Sequence, residues 1–300
     1  MNQSNDELIL GADIGGTHFR MGLCDASGKL LAHQVLPTAT LASAQEGFTK
    51  LADILDPTKK AKSFVVGVPG VVDYRESKAI FAPNLPQNFI PELSGEKIAK
   101  LLGREVLLVN DADLAAIGEA HFGAGRTKES MSYVTISTGI GAAVTVDKKL
   151  IRTRYSIAEL GHSFIDASDA LANGRGSVEY LASGTALART AKEAGLSLTN
   201  QQLVVAAQAG EPNALLIVKE MAHNVGVALA NMVHLFSIES LVLGGGVILS
   251  GDFIFNLVEE SFQELKPSYL EVEVAKAELG DDAALRGCAA AIAAFTSPSG

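Results

Sequence analysis

One short stretch, Asp13-Ile14-Gly15-Gly16-Thr17-His18, constrains this chain more than any other, because the sequence makes its shape twice. An apolar run at residues 8–12 leads into it and a second run at 19–24 leads out. Short apolar runs bounded by turn residues read as strands, so the pair is predicted to be a β-hairpin with one carboxylate at its mouth. Gly15 and Gly16 accept backbone angles that a Cβ forbids and let main-chain N–H groups approach a bulky anion. Thr17 adds a hydroxyl donor, and Asp13 a carboxylate suited to a hydrated cation. Alone, this is either a tight hairpin turn or an anion site. The second copy favours the anion site. Residues 132–136 read as a strand, Ser137-Thr138-Gly139-Ile140-Gly141 as the turn, 142–146 as the return strand and Asp147-Lys148-Lys149 as the next turn. The first copy continues alike, through Asp25-Ala26-Ser27-Gly28 into a third strand at 30–36. Two such layouts about 120 residues apart imply a duplicated domain, not a solenoid. Facing each other, the two turns would clamp a phosphate chain. No Gly-Lys-Ser/Thr pattern offers a P-loop instead.

The composition narrows the partners. Three hundred residues, 48% of them apolar, suit about two domains with large cores. The longest apolar runs fall far short of the roughly 18 residues of a membrane span. Residues 1–7 are polar and acidic, so no signal peptide is expected. Cys24 and Cys288 sit in apolar contexts at opposite ends of the chain, which predicts buried thiols and a reducing cytoplasm. The net charge of −10 argues against nucleic acid and anionic membranes as partners, yet leaves room for a small polyanion held locally.

Along the chain, helical spacing predicts helices over 41–55 and 93–102, with strands at 64–68 and 105–109. This order implies an α/β sheet covered on both faces. Pro83-Asn84-Leu85-Pro86 is a rigid loop whose amide is either a turn former or a ligand contact. The strand at 105–109 ends in Asn110-Asp111-Ala112-Asp113, with helical spacing over 114–121. Open α/β sheets bind ligands at the carboxyl ends of their strands. One of the two aspartates suffices to cap the helix, which leaves the other to explain. Ala158-Glu159-Leu160-Gly161-His162 and Gly174-Arg175-Gly176-Ser177-Val178-Glu179 hold two carboxylates and an imidazole, either solvated or reading a polyhydroxylated ligand. Helices are predicted over 179–194, 214–236, 253–265 and 283–295, with strands at 240–243 and 271–275. Asp281-Asp282 precede the last helix as candidate caps, and residues 297–300 form a polar tail. Gly244-Gly245-Gly246 lacks the Gly-x-Gly-x-x-Gly spacing of dinucleotide folds and suggests backbone closely approached by a flat or anionic group.

Taken in order and spacing, residues 13–17, 67–70, Asn84, Asn110-Asp111, 137–141, 159–162, 179–185 and 244–246 make the chain resemble, nearly end to end, the bacterial ROK sugar kinases (repressors, open reading frames, kinases). The resemblance implies an α/β, two-lobed actin-like ATPase (ribonuclease-H-like) fold, with a mixed sheet in each lobe and flanking helices. Residues 1–111 plus the C-terminal helix at 281–300 would form the small lobe and 112–280 the large lobe. The implied activity is that of an ATP-dependent hexokinase/glucokinase-type phosphotransferase using Mg²⁺. Asp111 would be the general base, taking the proton of the sugar 6-hydroxyl as it attacks the γ-phosphorus. Gly15, Gly16, Thr17, Thr138 and Gly139 would hold phosphates, Asp13 would orient Mg²⁺ through water, and Gly245 and Gly246 would lie against the adenosine. Asn84, Asn110, Asp111, Glu159, His162 and Glu179 would bind the sugar. Phosphoryl transfer asks mostly for positioning and charge stabilisation, which two donor-rich turns supply.

Within the family the chain is most similar to the glucokinases, and Glu159 in Glu-Leu-Gly-His leans the same way, so the resemblance implies glucose as the leading substrate. N-acetylmannosamine, allose and fructose are the alternatives, and polyphosphate is the alternative donor. A cytoplasmic homodimer is implied as well. The family's repressors bind DNA through an N-terminal winged helix-turn-helix, which is not expected here with only residues 1–7 before the first strand. A non-catalytic sugar sensor would be expected to lose the base or the phosphate turns, and both are present. One segment departs from the family. Most members carry Cys-x-Cys-Gly-x-x-Gly-Cys-x-Glu after the histidine, a structural zinc site. This chain has Leu171-Ala172-Asn173-Gly174-Arg175-Gly176-Ser177-Val178-Glu179, one residue shorter and without cysteine. Zinc is therefore not expected, and His162 needs another supporting partner.

Overall fold

A computed structural model describes residues 7–156, 159–173 and 175–295; Ala158, Gly174, the start at 1–6 and the tail at 297–300 lie outside the described residues. The first apolar runs form an antiparallel meander of β1 (Leu8–Ile14), β2 (His18–Asp25) and β3 (Leu30–Pro37), with Asp13 opposite Arg20. Helix α1 (Ala44–Leu55) starts later than its periodicity predicts, because Ser43 caps it by accepting from Glu46 N at 3.1 Å and residues 38–40 form a 3-10 turn. Its Phe48 packs edge-on against Phe19 and Phe64, with ring centroids 5.1 and 5.5 Å apart. Next come β4 (Ser63–Val68), the ribbon of β5 (Val71–Asp73) and β6 (Lys78–Phe81), α2 (Gly95–Leu102), β7 (Glu105–Asn110) and α3 (Asp111–Phe122). The first sheet runs β3-β2-β1-β4-β7, with β4 parallel to both β1 and β7.

The second half repeats this order. It contains β8 (Ser130–Ile136), β9 (Ile140–Val146), β10 (Lys149–Leu150), α4 (Ala167–Asn173), α5 (Val178–Ala182), α6 (Gly184–Glu193), α7 (Asn200–Gln208), α8 (Pro212–Phe236), β11 (Ser240–Gly244), α9 (Asp252–Leu265), β12 (Glu273–Lys276) and α10 (Ala283–Phe295). The sheet order is β10-β9-β8-β11-β12, with β11 parallel to β8 and β12. Strand for strand this matches the first sheet: a hairpin, a third strand beyond it, and two parallel strands on the other side. The repeat first visible in two glycine turns is thus a repeat of whole sheets.

Two readings of the sequence need correction. The single helix expected over 179–194 is two helices, because Ser183 has extended backbone (φ −77°, ψ 169°), ending α5 and capping α6. The stretch before α8, unassigned from periodicity, contains α7. Its start is marked by a capping box in which Thr199 and Gln202 bond each other's backbone, a spacing readable in the sequence.

The chain divides into two compact units, residues 1–129 with 144–157 and 281–300, and residues 130–143 with 158–280. Helix α3 belongs to the first unit, beyond the lobe boundary expected at 111. In that unit α10 crosses α3 so closely that a Cβ on Gly287 would lie 1.9 Å from the carbonyl oxygen of Leu114. Cys24 and Cys288 are buried free thiols, and burial pushes the Cys24 thiol up to about 12. Among the described residues no helix is long and apolar enough to cross a membrane.

Candidate active site

In the first unit, β1, β4 and β7 run parallel, with Asp13 level with Gly67 and Gly67 level with Val109. Their carboxyl ends therefore bring Asp13, the turn at 67–70 and Asn110-Asp111 to one sheet edge, where α/β sheets bind ligands. Burial, and then the charge of Asp111, push the Asp13 carboxyl up to about 7; Arg20 opposes the rise and Asp281 adds to it. Burial also raises Asp111, against the N–H of Ala112, which its Oδ1 accepts at 2.8 Å.

The helix cap is neither aspartate. Asn110 caps α3, its Oδ1 accepting from Ala112 N at 2.9 Å and Asp113 N at 3.1 Å, while its Nδ2 donates to Gly70 O at 2.8 Å. Asp113 is buried and accepts the Tyr74 hydroxyl, whose oxygen in turn accepts the Asn110 N–H at 3.2 Å. The fold thus occupies Asn110 and Asp113 and leaves Asp111, partly buried, with the Ala112 N–H on its Oδ1. One proton of the Asn110 amide remains beyond its bond to Gly70.

The first glycine turn is closed by Gly15 N donating to His18 O at 2.8 Å, so that N–H is taken up inside the turn. Thr38 buttresses it from behind: its hydroxyl donates to Gly15 O at 2.7 Å and its N–H to Thr17 O at 2.9 Å. A Cβ on Gly16 would lie 2.2 Å from Asn84 O, so the bare Cα lets the proline-bracketed loop lie on the turn. Thr17 and Asn84 are exposed beside it. Thr38 was not apparent in the sequence, since a threonine after a strand belongs to no motif; its complete burial is the only signal.

In the second unit, the turn after β8 is held by the start of α6. Gly184 N donates to Ser137 O at 2.7 Å, and the Thr185 hydroxyl to Thr138 O at 2.8 Å. Glu179 reaches the same turn, its Oε2 accepting the Ile140 N–H at 2.8 Å. That oxygen would stand only 2.4 Å from a Cβ on Gly139, which explains the glycine. Gly161 is as close, its missing Cβ 2.3 Å from Ile140 O, so the Glu159–His162 segment packs on the turn as well. Glu159, His162 and Thr138 are exposed. Gly245 lies against the end of β8, where a Cβ would meet Ile136 O at 2.3 Å. Beside these glycines a cavity of about 730 Å³ is lined by Thr138, Thr185, Ala188, Val204, Gly246 and Val247, among others. Most of its far wall comes from α6 and α7, which sequence periodicity had merged or passed over.

The structure therefore brings together Asp13, Gly15, Gly16, Thr17, Asn84, Asn110 and Asp111 in the first unit. It groups Thr138, Gly139, Glu159, His162 and Glu179 in the second, with Gly245 and Gly246 at the cavity. Among the described residues no group of three or more His, Cys, Asp or Glu side chains is arranged to hold a metal. A hydrated divalent cation fits Asp13 on other grounds. Asp13 and Asp111 stand at one sheet edge, and the charge of Asp111 adds to the burial that pushes the Asp13 carboxyl up, so a cation there would relieve that repulsion.

Comparison with known proteins agrees with this architecture. The pattern of the ROK family matches residues 9–294. A glucokinase of Thermotoga maritima is 31% identical over 95% of this chain and 96% of its own length. A ROK hexokinase from Thermus thermophilus superposes with a TM-score of 0.83 at 30% identity, covering 94% of this chain and 96% of that one. A ROK family glucokinase from Streptomyces griseus, solved with glucose and AMPPNP, gives a TM-score of 0.80 at 29% identity, covering 94% and 98%. The doubled α/β arrangement is the two-lobed actin-like ATPase fold, and the chain belongs to the ROK family.

Proposed function

We propose that this chain, an ATP-dependent sugar kinase, transfers the γ-phosphate of ATP to the 6-hydroxyl of glucose, with Asp111 as the general base. The observation that carries this reading is the division of labour at the end of β7. Asn110 and Asp113 are committed to the helix start, and Asp111 alone presents a carboxylate, its proton affinity raised by burial. A base of raised affinity accepts a hydroxyl proton better than an ordinary carboxylate does.

The other groups have roles suited to their surroundings. Thr17 and the Gly16 backbone offer phosphate donors in the first unit, beside the turn that the Gly15 N–H closes, as Thr138 and Gly139 do in the second. Asp13 would hold hydrated Mg²⁺, which supplies positive charge to the phosphoryl oxygens when bound. Glu179 has one oxygen on Ile140 N–H and keeps the other as acceptor for a sugar hydroxyl. His162 and Glu159 flank it, Asn84 and the spare amide proton of Asn110 serve the sugar in the first unit, and the cavity beside Gly245 and Gly246 suits adenosine. Relatives named glucokinase, and the glucose and AMPPNP held by the Streptomyces enzyme, support glucose and ATP here.

The test is ADP release with Mg²⁺–ATP across glucose, N-acetylmannosamine, allose and fructose, with phosphorus NMR to identify the phosphorylated carbon. Glucose should give the highest kcat/KM and only the 6-phosphate, and polyphosphate should not replace ATP. Turnover on none of these sugars would contradict the proposal, and preference for another would move it to that sugar.

A further inference from the structure

Between His162 and Glu179 the described residues carry two exposed large apolar side chains, Phe164 at 60% and Leu171 at 91%, before Val178 is buried. Polar contacts tie the two sides of this segment together. The two sides are zipped together near the site, where Val178 N donates to Ser163 O at 2.9 Å and Phe164 forms an antiparallel bridge with Ser177. Farther out, the N–H groups of Ile165 and Asp166 both donate to Gly176 O, at 3.0 and 3.2 Å. Asp166 holds the start of α4 beside this pairing. Its Oδ1 accepts from Ser168 N at 3.0 Å, Ser168 Oγ at 2.8 Å and Asp169 N at 3.1 Å, and its carbonyl accepts from Ala170 N at 3.1 Å as α4 begins. Opposite stands Gly176 at φ +90°, where a Cβ would be 2.3 Å from Asp166 O, so both its backbone angle and its neighbour exclude a side chain.

The near end delivers this order to the site. The Ser163 hydroxyl donates to Leu160 O at 2.7 Å, within the turn that carries His162. Ser177 Oγ accepts from Tyr180 N at 3.3 Å and so caps α5, whose second residue is Glu179. Glu179 then accepts the Ile140 N–H of the glycine turn. From these contacts we propose that residues 163–166 and 176–178 act as a hydrogen-bonded clasp, with Asp166 and Gly176 as positioning residues that set hexose affinity through His162 and Glu179. The inference rests on the sugar-binding reading of those two side chains.

Asp166→Ala removes the acceptor that holds residues 168 and 169 and so fixes the Asp166 backbone that pairs with Gly176, whereas Asp166→Asn keeps an Oδ1 in its place; Gly176→Ala disturbs the same pairing from the other side. The alanine variants should raise the hexose KM about tenfold or more while kcat and the ATP KM stay within about twofold, and Asp166→Asn should remain near wild type. An unchanged hexose KM in Asp166→Ala would overturn the proposal, as would equal losses in the Asn and Ala variants. Amide hydrogen exchange on the ligand-free proteins gives a readout independent of turnover. Asp166→Ala should speed exchange at Val178 and Ile140, and unchanged exchange there would overturn the clasp itself. A wild-type protein that phosphorylates no hexose would instead sink the sugar reading, leaving the exchange result to judge the clasp.

Discussion

At Asp13 the fold works against ionisation, and this has a signature in pH. The native carboxyl titrates near 7 against an ordinary value of 3.8. Between those values the folded state holds more protons than the unfolded chain, so stability falls as pH rises through the window and levels off above it. Asp13→Asn, a neutral isostere, should therefore melt higher than wild type at pH 8, by about 2 °C or more, with a gain that shrinks as pH falls towards 4. Thermal scans across that range check this, and a gain independent of pH would contradict it. Mg²⁺ should stabilise the wild type at pH 8 more than the variant. At this scale the sequence was half legible. Asp13 and Asp111 announce themselves by standing at strand ends. That Asn110 caps α3 is a local contact which the two neighbouring aspartates mask, and that Tyr74 reaches Asp113 depends on side chains distant in the chain and brought together only by the fold.

The glycine turns belong to the scale of elements, and each is shaped by a neighbour. Gly139→Ala would drive a methyl into the Glu179 carboxylate and Gly16→Ala into Asn84 O. Displacing a reacting group by about 1 Å can cost roughly a hundredfold. Gly139→Ala should accordingly lower kcat/KM by at least about tenfold for hexose and ATP alike, since Glu179 and the turn share one hydrogen bond. Steady-state kinetics with each substrate varied would show this; an effect on ATP alone would contradict the coupling. Turns and strands were readable because their signals are local. The break at Ser183 was not. The alanine and leucine spacing runs straight across it, and the contact that makes sense of the break, Gly184 N to Ser137 O, is tertiary. Helix α7 did carry its capping box, a signal that spacing of apolar residues alone passes over.

Across the whole molecule, one sheet order is used twice, and the last helix, α10, returns to the first unit. Helix α10 packs on α3 at Gly287, where an added methyl would press on Leu114 O. Gly287→Ala should destabilise the protein by about 1–3 kcal/mol in urea unfolding, without changing the hexose KM of the folded fraction. A stable variant would mean that the two helices sit farther apart than described. Family and fold were legible at this scale because motifs recur in a fixed order along the chain; the sugar was legible only as a leaning from Glu159 in Glu-Leu-Gly-His, since its selection depends on side-chain geometry beyond one motif. The most direct test of the central claim is ADP release at saturating glucose and Mg²⁺–ATP by wild type and Asp111→Asn, with glucose affinity followed by calorimetry. The account predicts a fall in kcat of about 10²- to 10⁴-fold with glucose affinity nearly unchanged. Turnover by Asp111→Asn at close to the wild-type rate would contradict it.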